Sequence, residues 1–173
     1  MTTTKLTLGL AILGVLLISS DNSARAASPQ TANLAVSATI GSNCTITTIA
    51  VGFPAYDPIV AHASSPDTST SGSVTITCTK GAATTIGLGL GSYASASQMR
   101  MSDGSSTPNY LNYALYQDNG HSIVWGNSGT ALLTPPVAPD KTARVFPVYG
   151  SIPAAQDLPA GTYNDTVLAT VNF

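Results

Sequence analysis

Asp118 and His121 stand three residues apart in "QDNGHS", and a carboxylate beside an imidazole is the beginning of a relay that could draw a proton from a serine. Serine is abundant, but no Gly-x-Ser-x-Gly elbow occurs, and no pattern brings a nucleophile to either histidine. The stretch reads instead as a turn carrying an exposed polar histidine. His62 lies in the Ser- and Ala-rich "AHASSPDTSTS", and two histidines so isolated provide no ligand spacing, so neither a metal nor another cofactor is implied. Glycoside hydrolysis needs two carboxylates. The chain contains no glutamate, and Asp57, Asp103, Asp140 and Asp165 all stand beside turn-type residues, which makes them turn formers. Tyr110, Tyr113 and Tyr116 could form a stacking platform, yet Leu111, Tyr113 and Leu115 share one strand face and suit a core. Trp125, at strand spacing from Ile123, suits a core or sheet face for the same reason. A hydrolase is the outlying reading, and a non-enzymatic structural role leads.

Cys44 and Cys78 are the remaining reactive pair, and what they do depends on compartment. The chain opens with Lys5, an apolar run from Leu6 to Ile18 interrupted only by Thr7, and a small-x-small site at Ala24-Arg25-Ala26. This is the pattern of a secretory signal peptide over residues 1–26, its apolar stretch being too short for a membrane span. Export to an oxidising compartment lets Cys44 and Cys78 pair, with one connectivity possible and no thiol left over. The chain expected after cleavage keeps only Lys80, Arg100, Lys141 and Arg144 against seven aspartates. Nothing resembles a basic patch, so nucleic acid is not an expected partner. So few charges suit a protein whose surface is covered by neighbours.

The elements that must position these residues are strands. No segment after residue 26 sustains a helical pattern. Short β-type runs recur instead, separated by Gly, Pro, Asn and Asp: Leu34–Ile40, Thr45–Val51, Ser73–Thr79, Thr84–Leu90, Tyr110–Gln117, Ser122–Trp125, Ala143–Ile152 and Thr162–Phe173. The spacing predicts an all-β sandwich. Asn119-Gly120 predicts an antiparallel hairpin between "NYLNYALY" and "SIVWGN". Pro147 is expected to limit which edge its strand can offer, and residues 61–71 and 92–108 read as surface loops. In the last run Val167, Ala169, Val171 and Phe173 alternate with polar Thr166, Thr170 and Asn172, and only Leu168 breaks the period of two. The chain given ends on that strand, so its outer edge needs a partner from elsewhere.

Five stretches together carry a resemblance: "VSATIGSNCTI", "FPAYDP", "GSVTITCT", "YALYQDNGHSIVWG" and, most specifically, "FPVYGSIPAAQDLPAGTYNDTVLATVNF". They resemble the spore coat protein U domain family, which includes the pilin subunits of archaic chaperone–usher pili such as the Csu pilus. Pro54 after Phe53 departs from that family's usual Phe-Gly-x-Tyr. The resemblance implies an incomplete immunoglobulin-like β-sandwich lacking its last strand. A periplasmic chaperone lends that strand first, and at the outer-membrane usher the N-terminal arm of the next subunit replaces it. Residues 27–42 would then be the donor extension and 43–173 the pilin domain. Leu34, Val36, Ala38 and Ile40 alternate with Ala35, Ser37 and Thr39, as a strand inserted into a groove requires; the alternative is that they begin the chain's own first strand. Val167, Ala169, Val171 and Phe173 would form the acceptor edge. The implied product is a fibre on the cell surface that serves attachment and biofilm formation, with a secreted spore-coat-type structural protein as the alternative.

Overall fold

A computed structural model describes residues 28–173, so the expected signal peptide lies outside the described residues. The chain divides into two units, Met1–Ala38 and Thr39–Phe173. Within the first, residues 28–38 are exposed and form no regular element. The expected strand Leu34–Ile40 is therefore not a strand in the single chain, because a strand exists only through its ladder and no partner supplies one.

The second unit is all β apart from one 3₁₀ turn, Gly129–Ala131. Its strands are β1 (Cys44–Ile49), β2 (Asp67–Cys78), β3 (Thr85–Leu88), β4 (Met99–Ser102), β5 (Tyr110–Tyr116), β6 (Arg144–Ile152) and β7 (Ala169–Asn172). An antiparallel five-stranded sheet takes the order β1-β2-β6-β5-β4, and β3 pairs with β7 in a second sheet. Alternation sets the core face. Val74 and Ile76 of β2, Leu111, Tyr113 and Leu115 of β5, and Val148 and Ile152 of β6 point inward and are buried. They meet Ile86 and Leu88 of β3, with Trp125, 1% exposed, donating its indole N–H to the Ile86 carbonyl at 3.0 Å. Fully burying each such side chain stabilises by about 1.5–3 kcal/mol.

The structure corrects several expectations. β2 starts at Asp67, inside the expected loop 61–71, and β4 lies inside the expected loop 92–108. The start of β2, "DTSTS", has no apolar residue, and β4, "MRMS", alternates over only four residues inside a polar stretch. Conversely, 162–168 is mostly irregular, with a single bridge from Asn164 to Ser102, and only β7 is ladder-bonded. The expected strand Ser122–Trp125 reduces to a bridge between Tyr116 and Val124. The hairpin joining them exists, but its left-handed residue is His121 (φ 53°), not Asn119 or Gly120. Asp118 makes this turn: its carboxylate accepts from the backbone N–H groups of Ser122 and Ile123, and its carbonyl from that of His121. Pro147 sits in a central strand, opposite Ser73, which is tolerable because β5 pairs only as far as Tyr149.

Candidate functional site: an open groove between two strand edges

β1 closes one side of the five-stranded sheet and is paired only to β2, while β7 has only β3 beside it. Among the described residues no strand pairing joins β1 to β7, although the two lie close together. Between their edges opens a groove of about 390 Å³. One wall is the end of β1 and its continuation, Thr48 to Phe53; the other is Tyr163 to Ala169. The floor is core: Val74, Leu88, Leu115 and Val148, all at most 4% exposed. A sandwich normally covers such residues with a strand. Here no strand spans the gap between β1 and β7, and these buried side chains lie at the bottom of the groove.

Each wall has a sequence cause. Val51 and Phe53 can lean over the sheet because Gly150 lies beneath them, where a Cβ would collide with the Phe53 ring. The opposite wall is anchored by Asp165. Its carboxylate accepts from the Tyr113 hydroxyl at 2.7 Å, from the Ser92 N–H at 2.8 Å and from the Thr166 N–H at 2.7 Å. Burial first, then the neighbouring Asp165 carboxylate, push the Tyr113 phenol well above the ordinary tyrosine range. Asp165 is therefore a buttress for the groove and not merely a turn former, which no spacing in the sequence reveals. The turn reading suits the others: Asp57 accepts from the N–H groups of Ile59 and Val60, Asp140 from Thr142, and Asp103 from Ser105 and Asn109. The Asn109 side chain, with the Ser105 backbone, holds Asp103 down to about 2.

Of the four residues expected at the acceptor edge, Val167 and Ala169 line the groove. Val171 packs against the core opposite Ile86 in β3, and Phe173 follows the strand at 55% exposure. Leu168, which broke the alternation, points outward at 74% exposure. The second wall, residues 48–53, was not among the expected site residues. In the arm Leu34, Val36 and Ile40 are 87, 86 and 85% exposed.

Cys44 and Cys78 form a disulfide across β1 and β2, where they are direct cross-strand partners. Thr79 adds to it: its N–H donates to the Asn43 carbonyl and its hydroxyl accepts from the Asn43 N–H, fixing the point where the chain enters the domain. Neither histidine approaches a nucleophile. His62 accepts the Asp57 N–H at Nδ1, stacks on Tyr56 and faces Asp67 at 3.8 Å, while His121 packs edge-on against Tyr116 and Tyr149. Among the described residues no cluster of three or more His, Cys, Asp or Glu could hold a metal.

Known proteins share this fold. In solved structures, a chain of the CsuC–CsuE chaperone–tip adhesion subunit pre-assembly complex, from the archaic chaperone–usher Csu pili of Acinetobacter baumannii, superposes with a TM-score of 0.54 at 24% identity. The likeness covers 78% of this chain and 41% of that one, and it is a likeness of fold, immunoglobulin-like and all-β. Protein U of Myxococcus xanthus is 41% identical over 159 residues, covering 85% of this chain and 87% of the relative. The pattern of the Spore Coat Protein U domain matches residues 30–170, nearly the whole described chain, and the chain belongs to that family.

Proposed function

We propose that this chain is a structural subunit of an archaic chaperone–usher pilus that polymerises by donor-strand exchange. The observation that carries the reading is the groove, an apolar core left open between two unpaired strand edges, in a chain that also carries an exposed arm of matching alternation. Leu34, Val36, Ala38 and Ile40 of one copy enter the groove of the next, where the arm's backbone finds the ladder partners it lacks alone. Burying each of Leu34, Val36 and Ile40 stabilises by about 1.5–3 kcal/mol. Because the contact is head to tail and does not close, it generates a fibre.

Before assembly a periplasmic chaperone covers the groove, and an outer-membrane usher exchanges it for the arm; the Csu complex of similar fold, a chaperone with a pilus subunit, supports this order. Export through the periplasm to the cell surface suits the disulfide. The fibre then serves attachment and biofilm formation. The family's description as a spore coat domain favours a second reading, a secreted coat protein. Electron microscopy of cells with and without the chain separates them: thin surface fibres that vanish on deletion are expected, whereas a continuous layer would favour the coat.

A further inference from the structure

Charge is divided between the two ends of the sandwich. The pairings Cys44 with Cys78 and Ile76 with Arg144 define one end, and Asp67 with Ile152 the other. Toward the first end lie Lys80, Lys141 and Arg144 around Asp140, with Asp118 in the turn beyond Tyr116 engaged by the N–H groups of Ser122 and Ile123. At the second stand Asp57, Asp67, Asp103 and Asp157. The remaining basic residue of the described chain, Arg100, lies two residues in from the end of β4, its guanidinium 4.2 Å from the centre of the Tyr110 ring.

Shape is divided in the same way. The acidic end presents Ile59 and Val60, 82 and 79% exposed, at the tip of a stiffly built loop. Asp57 accepts from both of their N–H groups, its own N–H donates to His62 Nδ1, and Tyr56, stacked on His62, donates its hydroxyl to the Pro153 carbonyl. Two apolar side chains held out rigidly in this way suit a partner surface. The basic end has a shallow depression of about 570 Å³ walled by Thr45, Thr77, Lys80 and Lys141, whose methyl groups and stems offer apolar area beneath the ammonium groups.

Chain direction decides which ends meet. The last segment runs from Asn164, beside Ser102 at the acidic end, to Asn172, beside Thr85 near the basic end. A donor strand antiparallel to it brings its root out of the groove at the acidic end. The opposite direction would bring the root out where the acceptor's own arm begins, at Gly41–Cys44, and crowd the two. Since every arm is rooted at the basic end, the basic end of each donor faces the acidic end of its acceptor.

From this we infer that successive copies make a second, charge-matched contact beside the donor strand, the Ile59–Val60 tip of one seating in the lysine-rimmed depression of the next. The contact rests on the donor-strand reading and adds to it a partner surface that steers and orients the incoming copy.

The test is carbodiimide cross-linking, which joins an amine to a carboxylate with loss of water, on polymers assembled from a mixture of isotope-labelled and unlabelled copies. Mass spectrometry is expected to find Lys80 or Lys141 of one copy joined to Asp57 or Asp157 of another. Subunits carrying Val36→Asp should give no such link. The double variant Lys80→Asp with Lys141→Asp, at two exposed positions, is expected to elongate about tenfold more slowly at low salt while each step formed stays heat-resistant. Polymers without these links, together with an unchanged rate, would overturn the second contact and leave the donor strand standing. A wild-type chain that forms no polymer would overturn both.

Discussion

The Tyr113 hydroxyl donates to Asp165 Oδ2 at 2.7 Å, joining the middle of β5 to the segment that leads into the last strand. This bond crosses from the floor of the sandwich to the wall of the groove. Burial and the nearby carboxylate raise the Tyr113 phenol, so the folded chain keeps a proton that the unfolded chain releases above its ordinary value of 10.0. The stability this represents is present below about pH 10 and is lost as pH rises beyond it. Melting temperature measured from pH 8 upward should therefore fall above pH 10, and Tyr113→Phe should flatten that fall while lowering stability near neutrality by about 1–3 kcal/mol, because Asp165 loses a donor.

Gly91 lies against the same carboxylate. Its φ of 88° is left-handed, and a Cβ there would collide with Asp165 Oδ2. Gly91→Ala should cost about 1–3 kcal/mol in thermal unfolding, more than alanine at Gly104, which is also left-handed but has open space around it.

Cross-linking Cys44 to Cys78 removes freedom from a 34-residue separation in the unfolded chain. Replacing both with serine should cost about 3–4 kcal/mol. Chemical denaturation of oxidised, reduced and Cys-free chains checks this, and the reduced chain should match the Cys-free one.

Adjacent positions in the groove wall should behave oppositely. Val167 lines the groove and Leu168 points outward. Val167→Asp would put an unpaired charge against the incoming strand and should weaken capture of a peptide spanning residues 30–42 at least tenfold, whereas Leu168→Asp should bind it normally. Fluorescence titration of the labelled peptide reads both.

Much of the fold was legible where one strand face is apolar. Leu111, Tyr113 and Leu115 fall on the core face that their alternation indicates, and Val74, Ile76 and Val148 do the same. The start of β2 was not legible because "DTSTS" has no apolar residue, and β4 because "MRMS" alternates over only four residues, too few to stand out from the polar stretch around it. One groove wall includes Val167 and Ala169, which the alternation of the last run singles out. The facing wall, Thr48 to Phe53, was not legible, since it follows from β1 leaving its sheet and from the space above Gly150. Nor was Asp165, whose partner lies 52 residues away.

The arm alternation leads to the most direct test. Leu34, Val36 and Ile40 share one face of an extended chain, and Ser37 lies on the other. Wild-type chain, Val36→Asp and Ser37→Asp should be assembled in parallel and run on gels without heating above the melting point of the polymer. The account predicts a heat-resistant ladder for wild type and Ser37→Asp and none for Val36→Asp, whose intact groove still accepts a wild-type arm. Equal ladders for both variants, or a defect confined to Ser37→Asp, would contradict it.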